Sequence, residues 1–237
     1  MWVDAERLKN FYHSNLGTLV QRKITAAIET IWPDVKGEVV AGFGFCHPYL
    51  GLFEGEAERI LSLMPAPQGA RAWPKNKKNL TALVEETQWP LQDKSVDRLL
   101  LCHALEYSDQ VQKILEECWR VLSDRGELLV IVPNRRSAWA QTTTTPLGYG
   151  TPYTGHQLYD VLERANFMPL KPRYCLYAPP GTSLLTLKFS STFEKYGPLF
   201  SKKLGGVVAF PARKQVYALT PRQGHQWLPR AFNPTTP

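Results

Sequence analysis

Two stretches of the chain are near-continuous apolar runs. Val96–Cys102 reads VDRLLLC and Leu128–Val132 reads LLVIV. In a β-strand successive side chains point to opposite faces, so runs of this kind need both faces of their sheet covered, as central parallel strands are. Between them, Gln110–Val121 places Val111, Ile114, Leu115, Cys118 and Val121 on one helical face, and Ser123-Asp124-Arg125-Gly126 forms a turn. A strand, a one-sided helix and a second strand joined by short connections are the repeating unit of a layered α/β fold.

The rest of the chain extends the pattern. Gly37–Ala41 reads as a short buried strand and is followed by the glycine turn AGFGFCHPYLG, after which Tyr49–Phe53 opens a helix. Arg59–Met64 is a second strand, stopped by Pro65-Ala66-Pro67, and Leu80–Val84 a third. Upstream, apolar residues recur at helical spacing over residues 4–31, with Gly17 expected to divide two helices and Trp32-Pro33-Asp34 to end the second. Downstream, residues 135–153 form a long polar loop, and Thr154 caps a helix over 154–165 that turns Leu158, Val161 and Leu162 inward. Further pieces are Arg173–Tyr177, a helix around 184–203, and strands at Val207–Phe210 and Gln215–Leu219. The expected architecture is α/β: a Rossmann-like, doubly wound, mostly parallel seven-stranded sheet with helices on both faces. The expected organisation is an N-terminal helical lid (1–34), one α/β domain (35–220) and a loose tail (221–237).

Composition narrows the setting. With 237 residues and 43% hydrophobic content the chain can bury one large core. No window approaches the run of about 18 apolar residues that a membrane helix needs, and the acids in MWVDAERLKNFYHSN argue against a secretory signal. Cys46, Cys102, Cys118 and Cys175 stand apart without zinc-ligand spacing, so the chain is read as cytoplasmic, with reduced buried thiols and no metal. The net charge of +7 is concentrated late: from Lys171 onward there are ten Lys/Arg against one acid, Glu194. Residues 171–230 are thus a candidate surface for nucleic acid or an acidic partner, the alternative being a solvated face that aids solubility.

The order of elements and three local stretches carry a resemblance. Trp89–Asp97 (WPLQDKSVD), Leu99–Tyr107 (LLLCHALEY) and Glu116–Asn134 (EECWRVLSDRGELLVIVPN) resemble class I S-adenosylmethionine-dependent methyltransferases of the small-molecule type. The likeness spans roughly residues 35–170, is strongest over 89–134, and looks like a bacterial subgroup with a degenerate glycine motif. It implies S-adenosyl-L-methionine as cofactor and methyl transfer to an acceptor the sequence does not identify.

Mapped onto this sequence, the resemblance implies cofactor contacts from Gly42, Phe43, Gly44, Met64, Glu85, Glu86 and Cys102, with the two glycines leaving room for close approach of backbone and ligand. His47 stands where a third glycine is expected. No acid precedes Gly42, and Met64-Pro65 takes the place of the usual acid after the second strand. A solvated turn carboxylate is the alternative for Glu85 and Glu86. His103, just past the fourth strand, is the candidate catalytic base, against a purely structural histidine. Cys102 has no basic neighbour in sequence to make it a nucleophile. Tyr12, Tyr149, Tyr153 and His156 are candidates to line an acceptor pocket. Asp97 is expected to organise the start of its strand. The missing acids leave a second reading open, a methyltransferase-like protein with weakened or lost cofactor binding that acts through its basic C-terminal surface.

Overall fold

The computed structural model describes residues 2–181, 192–193, 195–197 and 203–216. The expected helix around 184–203, the Gln215–Leu219 strand from residue 217 on and the tail 221–237 lie wholly or largely outside the described residues.

An eight-stranded sheet organises the chain. Its strands are β1 (Val39–Gly44), β2 (Arg59–Pro65), β3 (Thr81–Val84), β4 (Val96–Cys102), β5 (Leu122–Pro133), β6 (Phe167–Pro169), β7 (Arg173–Cys175) and β8 (Val207–Lys214). The order is β3-β2-β1-β4-β5-β8-β6, with β7 also paired to β8. Strands β1 to β5 run parallel, whereas β8 is antiparallel to β5, β6 and β7. The count exceeds the expected seven because two short pieces, β6 and β7, share different stretches of the one long strand β8.

The apolar runs do what their pattern requires. Leu100 and Cys102 of β4, with Leu129 and Ile131 of β5, face a core shared with the helices α1 (Ala5–Tyr12), α2 (Asn15–Ile31) and the short α3 (His47–Leu50). Leu99, Leu101, Leu128 and Val130 face the opposite core, packed by α4 (Val111–Val121) and α5 (Gly155–Arg164). Both faces are dry, so neither strand can alternate polar with apolar residues.

Local chemistry sets the boundaries. The N-terminal helices divide at His13-Ser14, not at Gly17: the Ser14 hydroxyl accepts the Gly17 N–H and caps α2. Gly17 is needed for another reason, since a Cβ there would lie 1.9 Å from the Phe11 carbonyl oxygen. Thr154 and Gln157 form a capping box at α5. Asp97 orders its strand as expected, accepting from the Val39 N–H (3.0 Å) and the Ser123 hydroxyl (2.9 Å). Arg120, in the stretch WRVL, clamps the loop before β4: it pairs with Glu117 (2.6 Å) and Asp93 (2.5 Å) and donates to the carbonyls of Leu91 and Trp89.

Candidate active site at the carboxyl ends of β1 and β4

The chain runs outward from β1 through β2 to β3, then returns to place β4 on the other side of β1. This reversal is where doubly wound sheets open a crevice for ligands. Gly44 at the end of β1 pairs with Cys102 at the end of β4. The Phe45 N–H donates to the Cys102 carbonyl (2.9 Å), which draws the two strand ends together.

Gly44 has φ +89, and a Cβ there would meet the Cys102 carbonyl oxygen at 2.3 Å. At Gly42 a Cβ would meet the Cys46 Cβ at 2.6 Å. The space both glycines leave is therefore used by the chain's own atoms, and close packing of β1 against β4 and α3 explains them. The helix expected from Tyr49 is reduced to α3 and a single 3-10 turn, Gly51–Phe53.

A buried polar cluster lies just past these strand ends. His103 is 1% exposed and has φ 52, a left-handed conformation that is uncommon for a residue with a side chain. Its Nε2 lies 2.7 Å from the Tyr12 hydroxyl, which is 2.9 Å from the Tyr49 hydroxyl. Its Nδ1 faces Glu106 Oε1 at 3.4 Å, while Glu106 Oε2 accepts from the Ala104 N–H. Gln68, in the turn after β2, donates from Nε2 to the His103 carbonyl (3.0 Å). Three atoms of this cluster, His103 Nδ1, Glu106 Oε1 and Gln68 Oε1, are buried without a hydrogen-bond partner among the described residues. Native interiors rarely leave such groups unpaired, so the cluster marks a place where a further polar group would be stabilised.

Burial fixes protonation around it. The Tyr12 and Tyr49 hydroxyls and the Cys102 thiol are held well above their ordinary values, chiefly by desolvation, so all three rest protonated and Cys102 is no thiolate nucleophile. His47 is pushed down to about 4 by burial and stays neutral. It stacks on Trp73 at 5.8 Å and meets the Thr81 hydroxyl at 3.1 Å.

Of the residues singled out in the sequence, Tyr12, Gly44, Cys102 and His103 come together. Phe43 is fully buried and packs at a tilt against Trp89, ring centroids 4.5 Å apart, in the core shared with α4, and Met64 is fully buried in the core shared with α2. Glu86 accepts from Trp2 Nε1 (2.8 Å) and from the Ser108 hydroxyl (2.6 Å), tying the N-terminal segment to the end of β3, while Glu85 is exposed. Tyr149 joins the 135–153 loop to α1, accepting from Arg7 and donating to the Thr143 carbonyl. Tyr153 is half-buried beside Asn134, and His156 is exposed on α5. In the basic region, Lys214 is buried, donating to the Leu122 carbonyl over the Trp119 ring, and Arg213 pairs with Glu127; neither is a free surface charge.

Gln68, Glu106 and Tyr49 did not emerge from the sequence. Glu106 carried a usable signal, a carboxylate three residues after His103 in HALEY. Gln68 carried none, because only the turn after β2 directs it back toward β4.

The donor set can be tested against the implied cofactor. Where an acid is missing after β2, the orphaned Gln68 oxygen supplies a buried acceptor suited to the hydroxyls of a nucleoside. Gln68 and the backbone past Cys102 are the residues that would hold it.

Comparison with known proteins bears on the fold and on the segment that carries it. A family model described as a methyltransferase domain matches residues 39–130, from β1 into β5. No curated protein matches. Among solved structures, a Thermotoga maritima S-adenosylmethionine-dependent methyltransferase, described as a possible histamine N-methyltransferase, superposes with TM-score 0.61 at 15% identity, covering 87% of this chain and 94% of that one. A putative methyltransferase from Haloferax volcanii, solved with its Trm112 activator, gives TM-score 0.61 at 15% identity over 89% and 98%. A geranyl diphosphate C-methyltransferase from Streptomyces coelicolor gives 0.55 at 12% identity over 81% and 79%. The chain has the Rossmann-like fold of S-adenosylmethionine-dependent methyltransferases, and its first five strands carry the methyltransferase-domain match.

Proposed function

We propose that the protein transfers a methyl group from S-adenosyl-L-methionine to an acceptor at the switch point between β1 and β4. The observation that carries this reading is the buried, unsatisfied polar cluster at the strand ends of the segment that matches a methyltransferase domain. When bound, the cofactor supplies an activated methyl group on a sulfonium, so the protein's work is mostly alignment. The backbone beyond Cys102 shapes the floor, Gln68 offers an acceptor, and the N-terminal segment covers the strand ends through Trp2 and, from α1, Tyr12. His103, reached through the Tyr12 hydroxyl, would be the base that receives the acceptor's proton.

Titration calorimetry with S-adenosylhomocysteine tests the reading, and saturable binding is expected. A flat titration at several hundred micromolar ligand would end it. The exposed cations Lys171, Arg173, Lys195 and Lys203 remain in this proposal as a surface for nucleic acid or an acidic protein. Retention on heparin that is insensitive to salt would remove that part.

A further inference from the structure

We propose that Tyr12, His103 and Glu106 form a proton relay that serves an acceptor whose nucleophilic atom carries a weakly acidic proton, an O–H or N–H group. The proposal rests on the methyl-transfer reading above and goes beyond it by naming the acceptor chemistry and a positioning residue.

The geometry assigns a role to each member. Glu106 Oε1 lies 3.4 Å from His103 Nδ1, and its other oxygen is held by the Ala104 N–H. A carboxylate facing Nδ1 favours the tautomer with hydrogen on that nitrogen, which leaves Nε2 as an acceptor. The Tyr12 hydroxyl then donates to Nε2 across 2.7 Å, while its oxygen accepts from Tyr49 at 2.9 Å. Gln68 fixes the His103 backbone from below. The left-handed backbone of His103 is strain held in place by these contacts, as at positions where orientation is functional. The ionisable groups facing the imidazole are Tyr12 from α1, Tyr107 and Glu106 from its own loop, with Cys102 and Tyr49 adjoining Tyr12.

The step balances without an added reagent. As the acceptor atom forms its bond to the methyl carbon, the methyl–sulfur bond of the bound cofactor would break, its electron pair staying on sulfur and S-adenosylhomocysteine leaving; the acceptor's proton would pass to the Tyr12 oxygen and the Tyr12 proton to His103 Nε2. The electron pair freed from the X–H bond stays on the acceptor, and the imidazolium faces the Glu106 carboxylate across 3.4 Å. Burial holds the Tyr12 hydroxyl well above its ordinary value, so a resting phenolate is disfavoured and the hydroxyl must receive one proton as it gives the other. An acceptor that is already ionised, such as a thiolate, has no use for this relay.

Full-length protein and methyl-labelled S-adenosylmethionine test it, with phenol and thiophenol as probe acceptors. Phenol is protonated near neutral pH and thiophenol is ionised. Tyr12→Phe keeps the ring packing and removes the hydroxyl. The expected result is a loss of about a hundredfold in transfer to phenol, at least about tenfold larger than the loss with thiophenolate, with S-adenosylhomocysteine affinity retained. Equal losses on both probes, or wild-type protein that binds S-adenosylhomocysteine but methylates no phenol, overturn the relay and leave the methyl-transfer reading standing. Failure to bind S-adenosylhomocysteine defeats the underlying reading and the relay with it. Histidine side-chain nitrogen NMR gives a readout independent of turnover. His103 is expected as the Nδ1–H tautomer, with Glu106→Gln mixing the two forms; an Nε2–H tautomer in wild-type protein refutes the assignment.

Discussion

His47→Gln offers a test of how the glycine turn is built. His47 follows that turn, stacked on Trp73, with the Thr81 hydroxyl as a polar partner of its ring. Burial lowers its pKa from 6.5 to about 4. The folded value lies below the unfolded one, so between these two values the unfolded chain binds more protons. His47 therefore contributes stability that is fully present above the unfolded value and is lost as pH falls toward the folded one. The whole displacement corresponds to roughly 3 kcal/mol at 1.36 kcal/mol per unit, and about 2 kcal/mol of it is lost between about pH 7.5 and pH 5. The ring edge keeps some contact with water, which lowers the expectation to about 1–2 kcal/mol. Urea denaturation at both pH values measures it in wild-type protein and in His47→Gln. The variant should lose stability less steeply with acid, by that difference. Parallel pH dependences would show that His47 is solvated in the folded state and that the turn is looser than described.

Three further outcomes can be measured. Gly44→Ala places a Cβ 2.3 Å from the Cys102 carbonyl at φ +89, and should cost at least about 2 kcal/mol in urea denaturation; a loss under about 0.5 kcal/mol would mean that β1 and β4 are not joined as described. Arg120→Lys removes the fork that bridges Glu117, Asp93 and two loop carbonyls, and should cost about 1–2 kcal/mol and speed amide exchange at Leu91 and Lys94. Unchanged exchange there would show that the loop orders itself. Leu115→Ala, fully buried on α4, should cost about 2–5 kcal/mol by thermal or chemical denaturation, and a near-neutral result would place α4 off the sheet.

Much of the architecture was legible because burial on both faces leaves a mark that composition cannot hide. VDRLLLC and LLVIV could only be central strands, the α4 stripe needed a sheet to cover, and Thr154 announced α5 through its cap. The glycine pair was also visible, but not its cause. A sequence shows that a side chain is excluded at Gly44, whereas only the folded chain shows that the Cys102 carbonyl excludes it.

The candidate site divides in the same way. Periodicity placed His103 at a strand end because strand ends are set locally, by the pattern of neighbouring residues. The partners of His103 come from distances in sequence that no local pattern spans: Tyr12 lies 91 residues away, and Gln68 lies 35. Their meeting depends on strand order and on how α1 crosses the sheet, both set by packing across the whole core. The sequence by itself determined the layered fold and the rim on which chemistry would sit; the tertiary structure alone decided which buried polar atoms share that rim and which of them are left unpaired.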